Sequence, residues 1–227
     1  RRYAETLLSV DESVGRVLDY LELHGLAENT LVIYMGDNGF SFGEHGLIDK
    51  RHAFEESMRV PMLAWAPGFV APGRVVEQNV MNTDLMPTLL ELAKVERPAD
   101  HAVDGRSFVP LLRGEAVAEW REDFLYEYYW ERTFPQTPTQ FALRTERYKY
   151  ILTHGLWDED MLFDLSADPE ERYNLIDASE HQERVRDLYG RLFEALKATD
   201  GMQIPLRQMG IGQNDLRRPA GEASTDP

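Results

Sequence analysis

Leu31, Val32, Ile33, Tyr34 and Met35 form an uninterrupted apolar run, rich in β-branched side chains, that Gly36 ends abruptly. The run is too short for a stable helix and reads as a strand buried on both faces of a sheet. Immediately after it stand Asp37 and Asn38, two hard-oxygen side chains, and then Gly39. Open α/β sheets place their ligand sites beyond the carboxyl ends of the strands. An acid and an amide at that position suit an oxygen-loving divalent cation such as Ca²⁺ or Mg²⁺. The tripeptide alone is ambiguous, because Asn-Gly is also a strong turn signal.

The residues that follow change that balance. Gly43-Glu44-His45-Gly46 sets an imidazole between two glycines, where backbone can approach a ligand closely. Lys50, Arg51 and His52 come next, then a short helical piece around Phe54 to Met58. Arg59-Val60-Pro61 leads into a second apolar strand, Met62 to Trp65, closed by Pro67-Gly68. Two metal-type oxygens, a His and a Lys between two apolar strands resemble an anion site more than a hairpin.

This string resembles the type I sulfatases of the alkaline phosphatase superfamily: Asp-Asn-Gly, Gly-Glu-His-Gly, a Lys, Arg-Val-Pro and Pro-Gly. The resemblance implies that Asp37 and Asn38 supply two ligands to an active-site Ca²⁺, and that Lys50 contacts the sulfate group and the nucleophile. His45 matches a position found in some branches; it is a candidate to hold a sulfate oxygen or protonate the leaving alcohol, or to act as a supporting hydrogen-bond partner. Family members make their nucleophile, a formylglycine, from Cys or Ser in a Cys/Ser-x-Pro/Ala-x-Arg motif. The present sequence has no Cys and no Ser in that context. The resemblance therefore implies the C-terminal part of a longer enzyme, catalytically incomplete alone, with the nucleophile and the other metal ligands on the N-terminal part.

Composition narrows the partners. The 227 residues carry a formal net charge of −16, which argues against nucleic acid, whose phosphates need a basic footprint. A sulfate site in such a chain must be locally positive, as Lys50, Arg51, His45 and His52 can make it. No apolar run approaches the ~20 residues that span a bilayer. Periplasmic or secreted placement is implied only by relatives that handle extracellular glycans.

Along the chain, Tyr3 to His24 reads as an amphipathic helix with Leu7, Val10, Val14, Val17, Leu18 and Leu21 on one face, ended by a left-handed Gly25. Helix, tight loop and buried strand make half of a doubly wound unit. Val75 and Val76 suggest a further short strand. Thr83-Asp84 starts a helix with Leu85, Met86, Leu89, Leu90 and Leu92 inward, and Asp84 is read as its N-cap. Beyond about residue 115 short strands take over: Phe124 to Trp130, Phe141 to Thr145, Tyr148 to Leu152 and Met161 to Leu165. Asp168-Pro169-Glu170-Glu171 is a turn, and a last helix turns Val185, Leu188, Leu192, Phe193 and Leu196 inward. The expected fold is α/β: a partial alkaline-phosphatase-like sheet sandwiched by helices (residues 1–115), then a small α+β subdomain with an antiparallel sheet and terminal helix (116–212). Residues 213–227 are expected to be a disordered tail.

Substrate choice is expected from the smaller subdomain. Its segments resemble the branch acting on 6-O-sulfated N-acetylglucosamine in glycosaminoglycans or mucin glycans. Candidate sugar contacts are Arg144, His154, Trp157 and Asp158, since an indole stacks on a sugar ring and His or Asp binds hydroxyls. Trp157 serves equally well as a packing residue, and Arg144 as a flank of the hairpin. Two other readings stay open: a phosphomonoester or phosphonate ester hydrolase of the same superfamily, and a non-catalytic carbohydrate-binding relative.

Overall fold

The computed structural model describes residues 2–96, 102–155 and 159–203. The tail expected at 213–227, and the candidates Trp157 and Asp158, lie outside these residues. The chain divides into two compact units, Arg1–Asp37 with Val60–Arg121, and Asn38–Arg59 with Glu122–Pro227.

In the first unit, helix α1 (Arg2–Leu23) ends at Gly25, whose φ of 65° is the left-handed turn expected there. Val10, Val14, Leu18 and Leu21 are half-buried, while Leu7, Leu8 and Val17 are exposed. Strand β1 (Val32–Met35) pairs antiparallel with β4 (Met62–Trp65), Val32 opposite Trp65 and Met35 opposite Met62. Every residue of β1 is half-buried rather than enclosed on both faces. Leu31, just before β1, and Ile33 within it pack with Met62 and Ala64 around Phe108, Leu111 and Leu112, the last two on α4 (Val109–Arg113).

Helix α3 (Leu85–Ala93) follows a single 3₁₀ turn over Asn82–Asp84. Asp84 is wholly buried and stands at the N-cap position of α3, but its carboxylate makes no capping bond to that helix and is used elsewhere. It accepts the Met81 N–H at 2.8 Å, the Arg106 N–H at 2.7 Å, and both Arg121 guanidinium nitrogens at 2.5 and 2.6 Å. A buried carboxylate with this many donors is compensated for its lost hydration. The strand expected at Val75 and Val76 does not form; Val75 is exposed and has no ladder to join.

The second unit is built on a four-stranded antiparallel sheet in the order β5-β6-β7-β8: Asp123–Tyr128, Thr139–Thr145, Tyr148–His154 and Met161–Asp164. Alternation divides its side chains between two faces, and both are covered. On one face Phe141, Leu143, Tyr150 and Leu162 meet Leu188, Leu192 and Leu196 of the last helix, α5 (Gln182–Ala198). On the other, Ala142, Ile151 and Phe163 meet Ala53 and Phe54. The second face thus positions the segment that carries the site. Among the described residues no helix is long and apolar enough to cross a membrane.

Candidate active site

Residues 38–59, part of the second unit, form a small hairpin followed by one helical turn. Strands β2 (Ser41–Phe42) and β3 (Ile48–Asp49) pair Ser41 with Asp49 and Phe42 with Ile48. Ser41 and Asp49 are buried; Phe42 and Ile48 point outward. Helix α2 (Glu55–Met58) follows.

At the head of this segment the Lys50 ammonium donates to Asn38 Oδ1 at 3.0 Å, so an amide and a lysine twelve residues apart meet directly. Asn38 Nδ2 donates to the Gly39 carbonyl at 2.8 Å, which sets the amide oxygen toward the lysine. Neither Asn38 nor Gly39 has a positive φ, so the tight-turn reading of Asn-Gly does not hold. Gly39 is required for a different reason. Its N–H donates to the Ser57 carbonyl at 2.9 Å, and a Cβ there would sit 1.9 Å from the Glu56 carbonyl oxygen. Asp37 follows Gly36, whose N–H bonds the Pro61 carbonyl at 3.3 Å and so ties the end of β1 to the start of β4.

His45 adopts a left-handed backbone, φ 54°, followed by Gly46 at 73°. Its ring stacks on Phe54 with centroids 3.8 Å apart and planes 8° from parallel, and its Nε2 lies 3.2 Å from Glu56 Oε2. The imidazole is therefore oriented by a ring below it and a carboxylate at one nitrogen.

Asp49 organises the base of the hairpin. It accepts the Lys50 N–H at 2.7 Å, the Arg51 guanidinium at 2.5 Å and the Thr137 hydroxyl at 3.3 Å. Burial alone would raise its carboxyl; the bonds from Lys50 N–H and Arg51, with the charges of Arg51 and His52, outweigh burial and hold it below the usual range. Arg51 also lies over the Phe134 ring at 3.2 Å and 3.4 Å from Glu131. His52 is buried, and burial, with the Arg51 and His45 charges, lowers its pKa against the pull of Asp49. Arg51 and His52 are thus engaged in holding Lys50's loop.

The other sugar-contact candidates are not brought together. Arg144 Nε is 3.6 Å from Glu55 Oε1, and its Nη1 donates to the Thr145 carbonyl at 3.1 Å. His154 is exposed at the far end of the β6–β7 hairpin, opposite Thr139, whereas Arg144 stands opposite Lys149. Five residues of strand separate the two positions, roughly 17 Å at the usual rise.

Sequence reasoning missed the group beneath the site. Lys149, fully buried in β7, reaches the Ala53 carbonyl at 3.0 Å, Glu55 Oε1 at 2.9 Å and Glu171 Oε1 at 2.7 Å. Lys149 to Lys-accepting carbonyl is a link across 96 residues, and no local pattern signals it. The usable hint was a lysine inside a strand whose neighbours Tyr150 and Ile151 are both apolar. His45, Glu56 and Glu171 also offer ligand atoms within 4.8 Å of one another, but the Lys149 ammonium already neutralises Glu171.

The Asn38 amide oxygen, which accepts from Lys50, is of the donor type that hard divalent cations take.

Comparison with known proteins identifies the family. The family model described as "N-sulphoglucosamine sulphohydrolase, C-terminal" matches residues 43–198. An N-acetylglucosamine-6-O-sulfatase of Bacteroides thetaiotaomicron is 36% identical over 199 residues, covering 87% of this chain and 35% of that protein. The human N-acetylglucosamine-6-sulfatase is 39% identical over 140 residues, covering 61% of this chain and 25% of that protein. Among solved structures, a protein in complex with its substrate D-glucosamine-2-N,6-O-disulfate aligns with a TM-score of 0.80 at 34% identity, covering 88% of this chain and 40% of that one. The chain thus spans well under half the length of these relatives. On this match the chain belongs to the sulfatases of the alkaline phosphatase superfamily, corresponding to their C-terminal portion.

Proposed function

We propose that this chain is the C-terminal portion of a sulfuric ester hydrolase whose substrate is the 6-O-sulfate of N-acetylglucosamine in glycosaminoglycan or mucin glycans. The observation that carries the reading is the Lys50–Asn38 bond at 3.0 Å: the cationic group and the amide of the expected metal pair stand side by side at the head of one hairpin. Two N-acetylglucosamine-6-sulfatases at 36% and 39% identity support the sugar.

In sulfate ester cleavage negative charge builds on the leaving oxygen and the nonbridging oxygens. A bound Ca²⁺ supplies Lewis-acid stabilisation of that charge when Asp37 and Asn38 hold it. Lys50 places an ammonium against the sulfate oxygens, a preorganised charge of the kind worth most in catalysis. His45, fixed by Phe54 and Glu56, holds a sulfate oxygen or delivers a proton to the departing alcohol. The nucleophile, a formylglycine, and the remaining metal ligands come from the N-terminal part of the parent enzyme. That part also covers the exposed Leu7, Leu8 and Val17 of α1. Residues 1–115 are its continuation and 116–212 the appended subdomain. Arg144, His154, Trp157 and Asp158 remain the proposed sugar contacts. Export to the periplasm or outside the cell fits a glycan substrate.

A second reading has one specific observation in its favour: a phosphonate monoester hydrolase of Agrobacterium radiobacter aligns with a TM-score of 0.72 at 28% identity over 84% of this chain. The test is sulfate release from N-acetylglucosamine 6-sulfate by the full-length protein, set against an aryl phosphonate monoester. Sulfate release that falls by about 10²–10³ in Lys50→Ala is expected, the cost of removing one charge-stabilising donor. Unchanged turnover in that variant removes Lys50 from catalysis. Preference for the phosphonate selects the second reading, and turnover of neither substrate selects a carbohydrate-binding relative.

A further inference from the structure

We propose that Lys149 is a positioning residue for the Lys50–Asn38 pair, a role that rests on the sulfatase reading of that pair. A lysine with no exposure in the middle of a sheet requires strong compensation, since an ammonium leaving water loses several kcal/mol of hydration. Its ammonium donates to the Ala53 carbonyl at 3.0 Å and is ion-paired with two carboxylate oxygens, Glu55 Oε1 at 2.9 Å and Glu171 Oε1 at 2.7 Å.

All three acceptors bear on one short segment. Ala53 and Glu55 belong to it, and Glu171 reaches it through its other oxygen, which accepts the Glu55 N–H at 2.7 Å. Gln140 of β6 completes the hold by accepting the Ala53 N–H at 3.2 Å. Residues 53–55 are therefore fastened to β6, to β7 and to the turn after β8. Glu171 sits in that turn with a left-handed φ of 51°, a conformation a non-glycine residue keeps only where its surroundings demand it. Burial raises the Glu171 carboxyl against the pull of Lys149, whereas for Glu55 the charges of Lys149 and Arg144 outweigh burial and lower it.

The pinned segment lies between the two functional groups. Three residues before Ala53 is Lys50. In the other direction α2 delivers the Ser57 carbonyl to the Gly39 N–H at 2.9 Å, and Gly39 adjoins Asn38. One buried ammonium thus sets the height of both ends of the loop over a rigid sheet. Displacements of about 1 Å in a catalytic constellation cost on the order of 10²-fold in rate, so a pin of this kind acts on turnover.

The experiment uses the full-length protein with Lys149→Met, Glu171→Gln as the milder variant, and Arg147→Ala as a control. Arg147 pairs with Asp164 on the same sheet, and its side-chain bonds go to that carboxylate. Expected are a fall in kcat of at least tenfold for Lys149→Met and several-fold for Glu171→Gln, KM within about threefold, and an unchanged kcat for Arg147→Ala. Amide hydrogen exchange supplies a readout independent of the reaction. The Gly39 and Lys50 amides should exchange at least tenfold faster in either variant, with Leu192 in α5 unchanged. If Lys149→Met does not fold, Glu171→Gln decides on the same two measures. A folded variant with unaltered kcat and unaltered Gly39 exchange overturns the proposal, as does an equal loss of kcat in Arg147→Ala at matched stability. If the unaltered protein releases no sulfate, the functional reading of the site fails, and the exchange measurement alone decides whether Lys149 holds the loop.

Discussion

Replacing Gly39 by alanine adds one methyl group at the tightest point of the site. The new Cβ falls 1.9 Å from the Glu56 carbonyl oxygen and 2.8 Å from its carbon, well inside the 3.0 Å that Cβ contacts do not cross. Both partners are backbone, so no side chain can swing away; the Asn38–Gly39 segment and α2 must separate by about 1 Å or more. That separation breaks the 2.9 Å bond from the Gly39 N–H to the Ser57 carbonyl and lengthens the reach from Lys50 to Asn38. Overpacking typically costs about 1–3 kcal/mol, and a backbone clash with loss of a hydrogen bond belongs at the upper end. A misplacement of this size lowers turnover by roughly 10²-fold. Urea unfolding of the full-length Gly39→Ala protein measures the first effect through its midpoint, and sulfate release from N-acetylglucosamine 6-sulfate measures the second. An unfolding midpoint equal to the unaltered protein's, with turnover within twofold, would refute the reasoning, because it would mean that α2 and the metal-side loop are not in contact as described.

Removing the partner of a buried charge should be among the costliest changes in the first unit. Asp84→Ala strands Arg121 and leaves the Met81 and Arg106 N–H groups without their acceptor, an expected loss of about 3–5 kcal/mol by urea denaturation. In the second unit Leu192→Ala opens a cavity between α5 and the sheet, with an expected loss of about 2–5 kcal/mol in the same assay. Acid should reveal the Arg147–Asp164 pair. The Arg147 hydrogen bonds, opposed by burial and aided by the Ala167 and Ser166 N–H groups, bring Asp164 down from 3.8 to about 2. A carboxyl lowered in the folded state stabilises above its unfolded value and loses that contribution as the pH falls from about 4 toward 2. Stability measured against pH should fall less steeply through that window in Arg147→Ala; an unchanged slope would show that the pair does not set the Asp164 titration.

The hairpin Phe141 to Leu152, the strand at Met161 and the inward face of α5 were legible in the sequence, because alternation and three- or four-residue spacing are local consequences of backbone geometry. β1 and the Asp37-Asn38-Gly39 string after it were legible for the same reason: a short apolar run ended by glycine has few alternatives. What could not be read was how enclosed β1 is, because enclosure depends on what lies across the sheet and not on the run itself.

Asn38 and Lys50 could be named from the sequence through a family resemblance, yet their bond exists only because a hairpin closes between them. The role of Gly39 stayed ambiguous in the sequence, which carries no sign that the Glu56 carbonyl would occupy the place of its missing side chain. Lys149 and Glu171 read as an ordinary strand lysine and an ordinary turn acid. Sequence alone determined the longer helices and strands and the chemical types at the head of β1, all set by neighbours within a few residues. Only the tertiary structure decided which charges are buried together, because pairs such as Lys149 with Glu55 are made by segments that meet after the chain has folded, and the cost of an unpaired buried charge then selects among them.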